Sequence, residues 1–151
     1  MREPGGGVVV SVEAVQEALA AEHAAVWTYG LVSAFITQQG AAVAEGATAH
    51  RARRDTTERW LRDQGATPTP PAAAYLPPTP VDSAASAIAA LIAVETDACV
   101  AWRGVLERTD DATLRTSALD ALTTSAVRAT RWRKAAGLTP LSITFPGTPV
   151  G

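Results

Sequence analysis

Between two helix-forming stretches lies the segment GATPTPPAAAYLPPTP, with six prolines between Pro68 and Pro80. Proline fixes φ, has no backbone N–H to donate and disfavours helix in the residue before it, so this segment cannot be helical throughout and runs largely extended. The chain on either side of it carries apolar residues at helical spacing. Before it, Val12, Val15, Leu19, Val26, Tyr29 and Ile36 mark a helix over about 13–38, with Ser11 as a candidate cap and Gly40 as its stop. Val43, Ala47, His50, Arg54, Thr57 and Leu61 mark a second over 41–64, ended by Gly65. After the prolines, Ile88, Leu91, Glu95, Cys99, Trp102 and Leu106 mark a third over 83–108 behind Asp82 as a candidate cap, and Leu114, Ala118, Ala121, Ser125, Arg128 and Trp132 a fourth over 112–136, closed by Gly137 and Pro140.

The joins are short, long and short, which decides topology. A helix of 25 residues is about 37 Å long at about 1.5 Å per residue. Fifteen extended residues, 66–80, reach about 46 Å at about 3.1 Å each. The crossover, 65–81, can therefore carry the chain the full length of a bundle and start the third helix at its far end. Two antiparallel hairpins joined in this way make an all-α, ferritin-like four-helix bundle, expected here as one domain over 1–151. The competing reading is a flexible linker between separate hairpins. A lone hairpin leaves its stripes exposed, however, and Tyr75 with Leu76 gives the linker side chains to dock. The tail, 138–151, has no helical periodicity; Leu138, Leu141, Ile143 and Phe145 are expected to pack it along the bundle or against a second subunit.

The halves resemble diverged copies. LAAEHAAV at 19–26 resembles IAVETDAC at 92–99, centred on Glu22 and Glu95. Trp60 stands five residues before Gly65 of GATP, and Trp132 five before Gly137 of GLTP. This predicts two equivalent hairpins about a pseudo-twofold axis.

Composition narrows the function classes. Net charge is −2, which gives no general affinity for nucleic acid. The single cysteine, Cys99, excludes an intrachain disulfide and a thiolate-rich zinc site, and its place on the core stripe favours an inert thiol. No uncharged apolar run approaches bilayer length, and although Arg2 and a brief valine run stand near the N-terminus, Glu3, Pro4 and Glu13 interrupt any signal-peptide pattern. A cytoplasmic protein with no membrane or nucleic-acid partner is expected. The 32 alanines favour helices that approach closely. Trp27, Trp60, Trp102 and Trp132 put one tryptophan on each helix, and burial of some of them in a homodimer is expected. No nucleotide loop, hydrolase elbow or Cys/His pair is present, so no catalytic residue is assigned and no cofactor expected.

Glu22 and Glu95 interrupt apolar stripes near helix middles, where a carboxylate needs a charged or polar partner. One partner is metal. A di-iron or di-manganese bundle uses one Glu from each of two helices and Glu-x-x-His from each of the other two. Here the second helix has His50 but Ala47 where Glu is required, Glu45 lies about 140° away around the helix, and the fourth helix has no histidine. A reduced site of Glu22, His50 and Glu95 remains as an alternative. The other partner is arginine. With the first hairpin turning near residue 39 or 40, Glu22 is level with about residue 57, near Arg54 and Glu58. With the second turning near 110, Glu95 is level with about 126, near Arg128. Ion pairs Glu22–Arg54 and Glu95–Arg128 are therefore expected, with His50 and Glu58 as further inward polar groups. Arg51, Arg53, Arg59 and Arg62 read as solvated or intersubunit groups, and His23 points about 100° away from Glu22.

Taken together, EHAAVWTYG at 22–30, HRARRD at 50–55, GATPTPPAAAYLPP at 65–78, the stretch from Glu95 to AWR at 101–103 and FPG at 145–147 resemble a small, largely actinobacterial ferritin-like family of unknown function. The resemblance covers nearly the whole chain and implies the bundle, but it supplies no reaction. Two function classes follow: a metal-free structural or interaction protein with inward Glu/Arg pairs, or a degenerate oxidoreductase relative that binds metal or an unidentified small ligand through Glu22, His50 and Glu95.

Overall fold

The computed structural model describes residues 5–149; Arg2, Glu3 and Pro4 of the N-terminal reading, and Val150 and Gly151 at the end of the tail, lie outside the described residues. Four helices follow in order: α1 (Gly5–Val32), α2 (Gly40–Asp63), α3 (Ala84–Arg108) and α4 (Ala112–Ala135). The closely packed pairs are α1 with α2, α1 with α3, and α3 with α4, which leaves α2 and α4 facing one another across the loosest seam. The architecture is the all-α ferritin-like bundle expected from the short, long, short joins.

Local chemistry sets the helix ends. Ser83 caps α3 and forms a capping box with Ser86, so Asp82 is not the cap but accepts from the Ser86 hydroxyl. Asp111 caps α4 by accepting from the Leu114 amide at 2.7 Å. Gly65 and Gly137, at φ 77° and 70°, stop α2 and α4. In both places the glycine and the residue after it bond back to the last turn, Gly65 to Arg62 and Ala66 to Leu61, Gly137 to Lys134 and Leu138 to Arg133.

The first helix departs from the sequence reading at both ends. It begins at Gly5, so Ser11 is an internal residue whose hydroxyl donates to the Gly7 carbonyl at 2.9 Å rather than a cap. It ends at Val32, and Gly40 opens α2 instead of stopping α1. The turn of the first hairpin is therefore centred near residue 36, earlier than expected.

The crossover lies along α1. Gln16 donates to the Thr67 carbonyl and accepts from the Thr69 amide, both at 2.8 Å, and His23 Nε2 donates to the Thr69 carbonyl at 2.9 Å. Farther on, Tyr75 packs against Trp27 with ring centroids 6.0 Å apart. Leu76 does not dock; it is 98% exposed. The tail is held at three points: Arg133 donates to the Pro140 carbonyl, Arg103 to the Thr148 hydroxyl, and Gly147 lies against the Cys99 carbonyl. Leu138, Leu141, Ile143 and Phe145 nevertheless remain exposed, so the expected packing of these side chains along the bundle is not made.

Two apolar clusters fill the interior. One is built on Leu19, Leu61, Trp102, Val105 and Leu114, the other on Tyr29, Val32, Ile36, Leu91 and Trp132. Among the described residues α3 alone is long and apolar enough to cross a membrane by length and composition. In the bundle it packs between α1 and α4 and carries Glu95 near its middle.

Candidate functional site

Glu22, His50 and Glu95 meet between the two apolar clusters, each with 0% exposure. His50 spans the two carboxylates: Nδ1 lies 2.6 Å from Glu22 Oε2, and Nε2 lies 2.7 Å from Glu95 Oε1. An ionised carboxylate only accepts, so both ring nitrogens must carry hydrogen and the ring is an imidazolium. Burial by itself pushes the His50 pKa down; the hydrogen bonds and charges of Glu22 and Glu95 outweigh it and bring it up to about 9. Glu22 is opposed by burial too, yet the His50 hydrogen bond and charge, the Arg53 guanidinium and the Trp102 N–H hold its carboxyl below the ordinary value.

Neighbouring donors complete the arrangement. Trp102 Nε1 donates to Glu22 Oε1 at 2.8 Å, and Tyr29 Oη donates to Glu95 Oε1 at 2.8 Å. Trp132 Nε1 in turn donates to Tyr29 Oη at 2.9 Å. Burial, then the Glu95 charge, pushes the Tyr29 phenol far up, so it stays a donor. Gly46 makes room for this ring: a Cβ there would stand 2.3 Å from Tyr29 Cε1.

The expected arginine partners are placed differently. Arg54 bonds Asp55 at the surface, and Glu22 takes Arg53 instead, Nη1 to Oε1 at 3.3 Å. The cause is the early turn of the first hairpin, which brings Glu22 level with residues 50–53 rather than 54–58. For the same reason Glu58 is not an inward group; it pairs with Arg62 at 3.0 Å. Arg53 also donates to Ser125 Oγ at 3.2 Å across the α2–α4 seam. The Glu95–Arg128 pair is not formed: Glu95 Oε2 and Arg128 Nη1 are both buried without a hydrogen-bond partner. Reading Arg53 as solvated missed its role, although its position three residues after His50 on the same helix was the available signal. His23, off the stripe as expected, is buried and serves the crossover. Burial pushes the Cys99 thiol up to about 12, which fits an inert group.

The donor set can now be tested against a di-metal centre. On α2 the i, i+3 pair is Ala47 and His50, and on α4 it is Ser125 and Arg128, where two Glu-x-x-His pairs are required. Both nitrogens of the single imidazole are committed to carboxylates. Positive charge from His50 and Arg53 takes the place that cations occupy in a metal-loaded bundle. The residues present do not fit a di-metal centre, and among the described residues no group of three or more His, Cys, Asp or Glu is arranged to hold a metal ion.

The sequence model of a family described as a domain of unknown function (DUF4439) matches residues 14–150. The chain belongs to this family. A conserved hypothetical protein of Mycobacterium tuberculosis is similar to this DUF4439 chain at 39% identity and a TM-score of 0.84, over 93% of this chain and all of that one. A ferritin-like, diiron-carboxylate protein of Bacillus anthracis is similar in fold, with a TM-score of 0.77 at 13% identity over 87% of this chain and 99% of that one. No curated protein matches the chain. The DUF4439 chain is thus a ferritin-like bundle with buried Glu–His–Glu contacts in place of a di-metal centre.

Proposed function

We propose that the chain is a metal-free structural or interaction protein in which the Glu22–His50–Glu95 cluster fixes how the two hairpins join. One observation carries this reading: His50 uses both ring nitrogens to hold carboxylates on two different helices. A buried network with specific partners sets register more surely than it adds stability. We assign no reaction. We further propose a cytoplasmic location and a homodimer; the exposed apolar side chains of Leu119 and Val127 on α4, and of Phe145, 71% exposed, on the tail, support only the dimer.

The second reading, a reduced metal or ligand site on Glu22, His50 and Glu95, has the unpartnered Glu95 Oε2 in its favour. Metal analysis of protein purified without chelators, followed by titration with iron(II), manganese(II) and zinc(II), separates the two. Stoichiometric metal that is lost in Glu22→Ala and His50→Ala overturns the metal-free reading; absence of saturable binding removes the second. Sedimentation velocity tests the dimer, which fails if the chain sediments as a monomer at all concentrations.

A further inference from the structure

The seam between α2 and α4 holds a cavity of about 120 Å³. Its walls are mainly apolar, formed by Ala42 on α2 and by Trp132 and Ala135 on α4, and Arg128 lines it as well. At its rim Arg131 and Glu45 face one another at 4.0 Å. Arg128 is the unusual wall. Its Nη1 is turned into the protein without a hydrogen-bond partner, while the residue as a whole is only partly buried and borders the cavity. Interior charges give the same answer. Glu22 and Glu95 supply two negative charges, and His50 and Arg53 already balance them. Arg128 is therefore a surplus cation beside an apolar cavity, while the Arg131–Glu45 pair at the rim contributes no net charge.

We propose that this seam binds a small organic acid as its monoanion, with the carboxylate on the Arg128 guanidinium and the hydrocarbon part against Trp132, Ala42 and Ala135. A planar guanidinium matches a carboxylate with paired N–H donors, which an inorganic halide cannot use in the same way. The cavity corresponds to about four waters at roughly 30 Å³ each, so the acid has a short chain or a single ring. This inference goes beyond the metal-free reading above and does not depend on it, because the residues that hold the acid lie outside the Glu22–His50–Glu95 contacts.

The test is calorimetric titration of the full chain with acetate, butyrate and benzoate, alongside chloride and phosphate, at up to roughly 10 mM. Saturable binding that strengthens from acetate to butyrate or benzoate is expected. Arg128→Gln should weaken it at least about tenfold, the loss expected for a charge-assisted pair, and Arg128→Lys should restore part of it. Ala42→Leu fills the cavity without touching the charge and should abolish binding of butyrate and benzoate; its thermal melt checks that the bundle is intact. Equal affinity for chloride, phosphate and the organic acids overturns the proposal. So does the absence of saturable binding to the folded wild-type chain, or a crystal structure grown with benzoate in which Arg128 is bonded to Glu95 and the cavity holds only water.

Discussion

Glu22 and Glu95 each accept a hydrogen bond from the residue seven positions beyond the other: Trp102 donates to Glu22, and Tyr29 donates to Glu95, both at 2.8 Å. Seven residues are about two helical turns, so the exchange fixes α1 and α3 in a single antiparallel register. A slip of one turn would separate both donors from both carboxylates. His50 then closes the gap between them.

Removing His50 tests the core of this arrangement. His50→Ala leaves two buried carboxylates without their shared cation and should destabilise the fold by about 3–5 kcal/mol. Urea unfolding at neutral pH measures this. The loss should shrink toward acid pH, where the carboxylates of the variant can take up protons; a pH-independent loss would show that His50 acts through packing alone.

The pH dependence of wild-type stability has two limbs. The folded pKa of His50, about 9, lies above its ordinary value of 6.5. Its contribution, on the order of 3 kcal/mol for a shift of this size, is fully present below pH 6.5 and is lost as pH rises through about 9. Glu22 is shifted the other way, below 4.5, so its contribution is present above pH 4.5 and is lost as pH falls through its folded value. Thermal melts across pH should show an alkaline limb that is missing in His50→Ala.

Gly46 and Tyr29 form a packing test. Gly46→Ala drives a methyl group into the Tyr29 ring, which should cost about 1–3 kcal/mol by overpacking. Tyr29→Phe removes the hydroxyl that receives Trp132 and donates to Glu95, at a similar cost of about 1–3 kcal/mol. Because both changes act on one ring, the double variant should lose less than the sum. Additive losses in a double-mutant cycle would separate the two sites.

Gly147 holds the tail. At φ 82°, with a Cβ position 2.5 Å from the Cys99 carbonyl, Gly147→Ala is strained on both counts. The expected outcome is release of the tail beyond Pro140, with faster amide exchange at Thr148 and new protease cleavage there. Global stability should fall by only about 0.5–2 kcal/mol. Unchanged exchange at Thr148 would contradict the clasp.

The bundle was legible because proline and glycine act locally. Six prolines forced the crossover, and Gly65 and Gly137 marked helix ends that the structure places there. Glu22, His50 and Glu95 were legible as inward groups because polar residues on an apolar stripe need partners. Their pairing was not, since it depends on where a turn is centred. The end of α1 at Val32 moved the register by about two turns, exchanging Arg54 and Glu58 for His50 and Arg53. No local signal in the stretch from Ser33 to Gln39 announced that shift. The i, i+7 exchange with Trp102 and Tyr29 was likewise hidden, because it belongs to two helices that are distant in sequence.

The cluster is also unequal between the two hairpins. Both hydrogen bonds on Glu95 come from the first hairpin, through Tyr29 and His50, whereas Glu22 finds His50 and Arg53 on its own hairpin. Glu22 therefore has cationic partners within its own hairpin, while Glu95 meets its donors only where the two hairpins pack. One half answers its inward carboxylate locally, and the other does so only through assembly.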